Sequence, residues 1–262
     1  MQDNSTTTNA DATTPAQWSH LLAEAVSKPG LLLEAYSAFH NYSVGNQLLA
    51  LTQCQRRDIK PGPLATFQNW KGKGRFVRKG EKALTLCMPV TVKSKEETGD
   101  GETFTRFIYR PRWFVLSQTE GQDVEPTLPP SWDKAKALAA LNITETPFEF
   151  MDGNTQGYAR NRSVSVSPIA ALAHKTFFHE VAHVVLGHTS EGQQTNDGEN
   201  TPRSLKEAEA EAVALILCET LELPGAEFCR GYIQNWLRGD VIPERSAQKI
   251  FHAADKVLKA GN

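Results

Sequence analysis

The chain has 262 residues, 40% of them hydrophobic, and a formal net charge of -2. That is apolar enough to bury a sizeable core and long enough for two domains, which excludes a wholly disordered polymer. The near-balance of charge hides an asymmetry: residues 52–117 carry 14 Lys+Arg against 6 Asp+Glu, whereas residues 118–262 carry 13 against 20. The first stretch should favour polyanions and the second should not.

The opening MQDNSTTTNADATT is polar and aperiodic, with no apolar surface to offset the entropy of ordering, so residues 1–14 are expected to be a disordered tail. WSHLLAEAV and LLLEAYSAFH then read as amphipathic helices on either side of the Lys28-Pro29-Gly30 break, and NQLLALTQC as a third helix. A segment punctuated by Pro and Gly leads into a strand-like run from Ala83 to Val90. The charged turn KSKEETGDGE connects it to FTRFIYR and RWFVLSQ, also β-rich, so residues 15–120 are expected to form an α+β domain.

Residues 121–133, GQDVEPTLPPSWD, have the composition of a linker. A second, mainly helical domain is expected over 134–262. FEFMDG and SVSVS read as short strands, followed by helices near 170–186, 205–221, 227–238 and 244–260. The four cysteines have no CxxC spacing, no basic-then-apolar leader is present, and no run approaches the ~18 apolar residues that cross a bilayer. A reduced, cytoplasmic protein without a membrane span is the expectation.

HEVAHVVLGH, residues 179–188, carries the chemistry. On a helix His179 and His183 lie one turn apart on one face and can share a cation, while Glu180 sits beside them, able to act on a metal-activated water without being a ligand. This is the HExxH arrangement of zinc peptidases. The flanks are apolar, so imidazoles and a carboxylate buried there cost several kcal/mol unless something satisfies them, as a divalent ion would. Gly187 stands where a helix C-cap is expected.

A catalytic Zn²⁺ needs a third protein ligand and an open position, and SLKEAEAEAVALILCETL is suited to donate it. Ser204 with Glu207 three residues on matches a capping box, which assigns Glu207 to the backbone at the helix start. Glu209 shares its face with Ala212, Val213 and Ile216, and so fits a buried ligand better than Glu211, which stays as the alternative. With His179, His183 and Glu209 on the metal, Glu180 would take a proton from water and pass it to the leaving amine of an amide. SVSVS could be an edge strand that pairs with an extended peptide, or a core strand. His174 and His188 fall off the ligand face or past the helix end and read as bystanders.

FQNWKGKGRFVRKGEK, residues 67–82, interleaves rings with cations. Phe67 and Trp70 could stack on unpaired bases, with Phe76 between them and the end of the run, while Lys71, Lys73, Arg75, Arg78 and Lys79 could neutralise phosphates. Single-stranded nucleic acid suits this better than duplex. The competing reading is a solvated hairpin whose aromatics turn into the core.

Taken together, NYSVGNQLLALTQ, FQNWKGKGRFVRKGEKALTL, WFVLSQTEG, SVSVSP, HEVAHVVLGH, EAEAEAVA and YIQNWL through IFHAADKVL resemble the ArdC-type antirestriction proteins of plasmids and other mobile elements, over roughly residues 16–260. The resemblance implies a sequence-independent single-stranded DNA-binding domain joined to a zinc-metalloprotease-like domain, shielding incoming DNA from restriction during conjugation. It also implies that the two histidines of HExxH and a downstream acidic residue hold the metal, here His179, His183 and Glu209. A host protein as substrate is one expectation; a DNA-coating protein with a purely structural zinc is the other.

Overall fold

The computed structural model describes residues 17–93, 103–125, 127–150, 155–189, 202–237 and 241–262. The expected tail at 1–14 and most of the KSKEETGDGE turn lie outside the described residues. Three helices open the chain: α1 (Trp18–Ser27), α2 (Leu31–Phe39) and α3 (Val44–Arg56). Gly30, at φ +84°, makes the turn between the first two that the Pro-Gly break announced.

The first half then turns to β structure. Strand β1 (Leu64–Thr66) pairs antiparallel with β4 (Thr103–Val115), which pairs in turn with β3 (Leu84–Lys93), giving the order β1-β4-β3. The two β-rich runs expected after the turn are therefore one long strand, β4, ending in a short 3-10 turn at Leu116–Gln118. Between β1 and β3 stands a short helix, α4 (Phe67–Gly72), capped by the Thr66 hydroxyl, and then β2 (Arg75–Val77), which pairs with β5 (Thr119–Gly121). The basic segment is thus a helix and a strand, not a hairpin.

In the second half, α5 (Lys134–Leu141) precedes a three-stranded sheet of β6 (Thr144–Glu145), β7 (Gly157–Arg160) and β8 (Ser163–Val166) in the order β6-β8-β7. Among the described residues of FEFMDG, 148–150 are not strand. SVSVS forms β8, the middle strand, paired along its length with β7 and over Ser163 and Val164 with β6, so the edge strands of this sheet are β6 and β7. The sheet lies against α6 (Ala173–Val185). Gly157 permits this approach: a Cβ there would meet Thr176 Cγ2 at 2.6 Å and Glu180 Cγ at 3.1 Å.

Helix α7 (Arg203–Thr220) runs through the interior, buried all round from Ala208 to Thr220, and packs on α6, α8 (Ala226–Leu237), α9 (Glu244–Gly261) and α2. One apolar cluster spans both halves, from Leu22, Leu32 and Phe39 to Val213, Ile216 and Val257. The 121–133 segment is tied down at its end, where Trp132 packs edge-on to Phe178 and donates to Val257 O at 3.0 Å.

The contacts between halves include a set of helix caps. Gln17, Gly30 and Ser43 precede α1, α2 and α3 without capping by their own side chains. Carboxylates of the second half supply the missing acceptors. Trp18 N and Ser19 N donate to Glu244 at 3.0 and 2.9 Å, Leu32 N to Glu219 at 3.0 Å and Val44 N to Asp255 at 2.8 Å. Each carboxylate meets the positive end of a helix dipole and one or two otherwise orphaned amides. Glu219 is also paired with Arg230, which donates to Val26 O at 2.9 Å.

Removing Glu219 takes the counter-charge from the partly buried Arg230, which keeps only main-chain acceptors, and strands the buried Leu32 amide, so Glu219→Ala should cost about 3–5 kcal/mol in denaturant unfolding. Asp255 behaves differently. Burial pushes its carboxyl from 3.8 to about 6, against the pull of the Val44 amide. A raised carboxyl pKa means the fold favours the protonated form, so this contribution is full below pH 3.8 and is lost as pH rises through 6. Asp255→Asn keeps an acceptor for Val44 and should flatten the stability profile between about pH 4 and 6, read from unfolding midpoints across that range.

Candidate metal centre

Helix α6 presents His179 and His183 one turn apart, as the spacing requires, with Nε2 atoms 3.1 Å apart. The carboxylate that meets them is Glu207: its Oε2 lies 3.3 Å from His179 Nε2 and 3.5 Å from His183 Nε2. Among the described residues these three form the group able to hold a metal ion. Three donors at about 2.0–2.1 Å from a tetrahedral Zn²⁺ stand about 3.3–3.4 Å apart, so the spacing fits a divalent cation without rearrangement.

The carboxylate brought to the two imidazoles is therefore Glu207, where Glu209, or Glu211 as the alternative, was expected. The reason lies at the helix start. α7 begins at Arg203, after Pro202, with no side-chain cap, so the Ser204–Glu207 capping box does not form. Glu207 is left one turn before Glu211 on a common face, and the two carboxylates flank the His179 ring. Glu211 Oε2 sits 2.7 Å from His179 Nδ1, and its other oxygen is 2.6 Å from Lys175 Nζ. Glu209, about 200° away around the helix from either, meets His188 Nε2 at 2.9 Å.

His188 was not expected to take part. α6 ends in a Schellman turn, with Gly187 at φ +78°, Gly187 N donating to Val184 O and His188 N to His183 O at 2.8 Å. That reversal brings His188 Nδ1 to 3.0 Å from His183 Nδ1. The glycine was legible in the sequence; the return of the following ring onto the helix was not. His174 is exposed on α6, away from the cluster.

Electrostatics follow the pairing. Burial disfavours a charged His179, but the carboxylates of Glu207 and Glu211 outweigh it and hold its pKa up at about 9. Contact with His179 and His183 holds the Glu207 carboxyl far below the usual carboxylate range, despite its burial. Burial raises the Glu180 carboxyl, although the neighbouring imidazoles pull the other way. Glu180 is buried, and among the described residues it makes no ion pair.

The basic segment divides. Phe67 is 47% exposed, and Lys71, Lys73 and Lys79 face solvent, as does Arg78, paired with Glu81 at 2.8 Å. Trp70 is only 1% exposed and donates from Nε1 to Phe114 O at 2.7 Å, so it cannot stack on a base. Arg75 is also buried. Its guanidinium holds β2 to β5 through the Thr119 hydroxyl at 2.8 Å, Thr119 O at 3.0 Å and the Gln122 carbonyl, and its burial keeps it from a phosphate in solvent. Periodicity could not separate the buried ring from the exposed ones because α4 is barely longer than one turn. Phe76, 55% exposed, and Phe107, 68% exposed, are the rings that solvent reaches best among the described residues of the basic half. Phe107, on β4, lines a groove of about 1110 Å³ with Trp18, Tyr109 and Phe251.

Residues 9–128 match the family model described as the N-terminal domain of anti-restriction factor ArdC. The fold is similar to the metal-free crystal structure of the antirestriction ArdC protein from the R388 plasmid, with a TM-score of 0.55 and 20% identity over 93% of this chain and 94% of that one. The Mn(II)-bound structure of the same protein gives 0.52 and 18%, covering 94% and 96%. No curated protein sequence matches significantly. Among the described residues no helix is long and apolar enough to cross a membrane.

Two substitutions separate the roles. Glu207→Ala should abolish tight Mn(II) or Zn(II) binding in calorimetry, whereas Glu209→Ala should still bind. Trp70→Ala should unfold at lower denaturant by about 3–5 kcal/mol, the cost of an emptied core site.

Proposed function

We propose that this chain is an antirestriction protein that binds single-stranded DNA and carries a divalent-metal peptidase site, because residues 9–128 match the ArdC N-terminal-domain model and the whole chain is similar in fold to an ArdC protein. The observation that carries the second part is the convergence of His179, His183 and Glu207 beside a buried Glu180. His179 Nε2, His183 Nε2 and a Glu207 oxygen would hold the cation, zinc by the chemistry of the donor set. When bound, such an ion supplies Lewis-acid charge that polarises a carbonyl and acidifies water. Glu180 accepts the proton of the attacking water on a carboxylate oxygen and delivers it to the departing amine nitrogen. Its place next to His179 on α6, buried against Gly157 of β7, suits that exchange. β7, one of the two edge strands of its sheet, would offer main-chain groups to an extended peptide, in place of the central β8.

DNA would lie on the basic half, in the cytoplasm of the cell receiving it. Phe67, Phe76 and Phe107 offer faces for bases, and Lys71, Lys73 and Lys79 offer charge for phosphates. Trp70 and Arg75 hold α4 and β2 to the neighbouring strands.

Glu180→Gln should keep the metal and lower peptide hydrolysis by roughly 10²–10⁴-fold. If the same variant protects DNA from restriction as well as the wild type does, protection comes from coating the strand. A wild-type protein that takes up no divalent cation would overturn the metal reading. Replacing Lys71, Lys73 and Lys79 by alanine should weaken binding alike for all sequences and reduce the log-log salt slope by about 0.7 for each phosphate no longer neutralised. An unchanged slope would remove these lysines from the interface.

A further inference from the structure

The groups behind the proposed metal site form an ordered chain. His183 Nδ1 faces His188 Nδ1 at 3.0 Å, and His188 Nε2 faces Glu209 Oε2 at 2.9 Å. Glu209 is 3% exposed, and its carboxylate is also bonded by the buried Ser246 of α9. Proton bookkeeping leaves one arrangement that satisfies every atom with neutral rings. His183 must keep Nε2 unprotonated to donate a lone pair toward a cation, which puts its proton on Nδ1. That proton needs an acceptor, and His188 Nδ1 stands there. His188 then carries its own proton on Nε2, directed at the Glu209 carboxylate. Geometry also excludes His188 as a ligand, because it contacts the far side of the His183 ring from Nε2.

We infer that His188 is a positioning residue for His183, fixed in orientation and tautomer by Glu209. At His179 a carboxylate faces the ring directly, with Glu211 Oε2 2.7 Å from Nδ1. The two histidines are thus held by different devices: a carboxylate for one, an imidazole backed by a carboxylate for the other. Outer partners of this kind orient the ring and raise its basicity, and removing one typically weakens metal binding roughly 10–100-fold. The Schellman turn at Gly187 is what makes the second device possible, since it returns His188 onto the helix it has just left.

The inference rests on the proposed metal site, and the test separates the two. Full-length protein is titrated with Mn(II), and the Co(II)-loaded form is followed by its visible absorption. His188→Leu fills the same space without an acceptor and should weaken Mn(II) binding by roughly 10–100-fold and change the Co(II) spectrum. His188→Asn places an amide oxygen where Nδ1 stands and should restore most of the affinity and the wild-type spectrum. Glu209→Gln, nearly isosteric, still accepts from His188 and should weaken binding less than about tenfold. Should the leucine variant fail to fold, the asparagine and Glu209→Gln variants carry the test: a wild-type-like spectrum in both supports the inference, and a His179→Ala-like loss of metal in both overturns it. Equal affinity and an unchanged spectrum in His188→Leu would also overturn it while leaving the site intact. If wild type and His179→Ala bind Mn(II) equally weakly, the site itself fails.

Discussion

A carboxylate removed from water must be answered by a charge or by donors, and α7 carries three such groups into the interior and a fourth to its rim. Glu209, Glu211 and Glu219 are at most 8% exposed, and Glu207 lies at the edge. Leaving any of them unpaired would cost several kcal/mol, so their partners are obligatory. Glu207 meets His179 and His183, Glu209 meets His188 and Ser246, Glu211 meets Lys175 and His179, and Glu219 meets Arg230 and the amide of Leu32. Those pairings fix α6, α8, α9 and α2 around one helix. The proposed metal site is where this compensation is left to a cation.

The same constraint joins the halves of the chain. α1, α2 and α3 lack caps of their own, and they obtain them from Glu244, Glu219 and Asp255. The first half therefore depends on residues far along the chain for its helix starts, and the apolar core is continuous across the pair. A polar path follows from this arrangement, since α9 supplies Glu244 to α1 and Ser246 to Glu209.

The basic half shows how composition misleads about interfaces. Trp70 and Arg75 have the chemistry of nucleic-acid contacts, and the fold uses both to hold α4 and β2 against the strands around them. A ring or guanidinium that satisfies a buried carbonyl is worth more to the protein inside than out. What is left outside includes Phe67, Phe76, Phe107 and the lysines 71, 73 and 79.

Local pattern alone determined a good deal: the three opening helices, the α+β class, the helix bearing HExxH with both imidazoles on one face, and the glycine that ends it. These follow from periodicity and backbone preference, which act over a few residues. The identity of the acidic partner was decided elsewhere. Glu207, Glu209 and Glu211 alternate along one helix, and a shift of its start, from Ser204's capping box to Pro202, changes which carboxylate is free. Only the crossing of α7 over α6 settles that, along with the reuse of His188 and the burial of Trp70, because each depends on which surfaces distant segments present to one another.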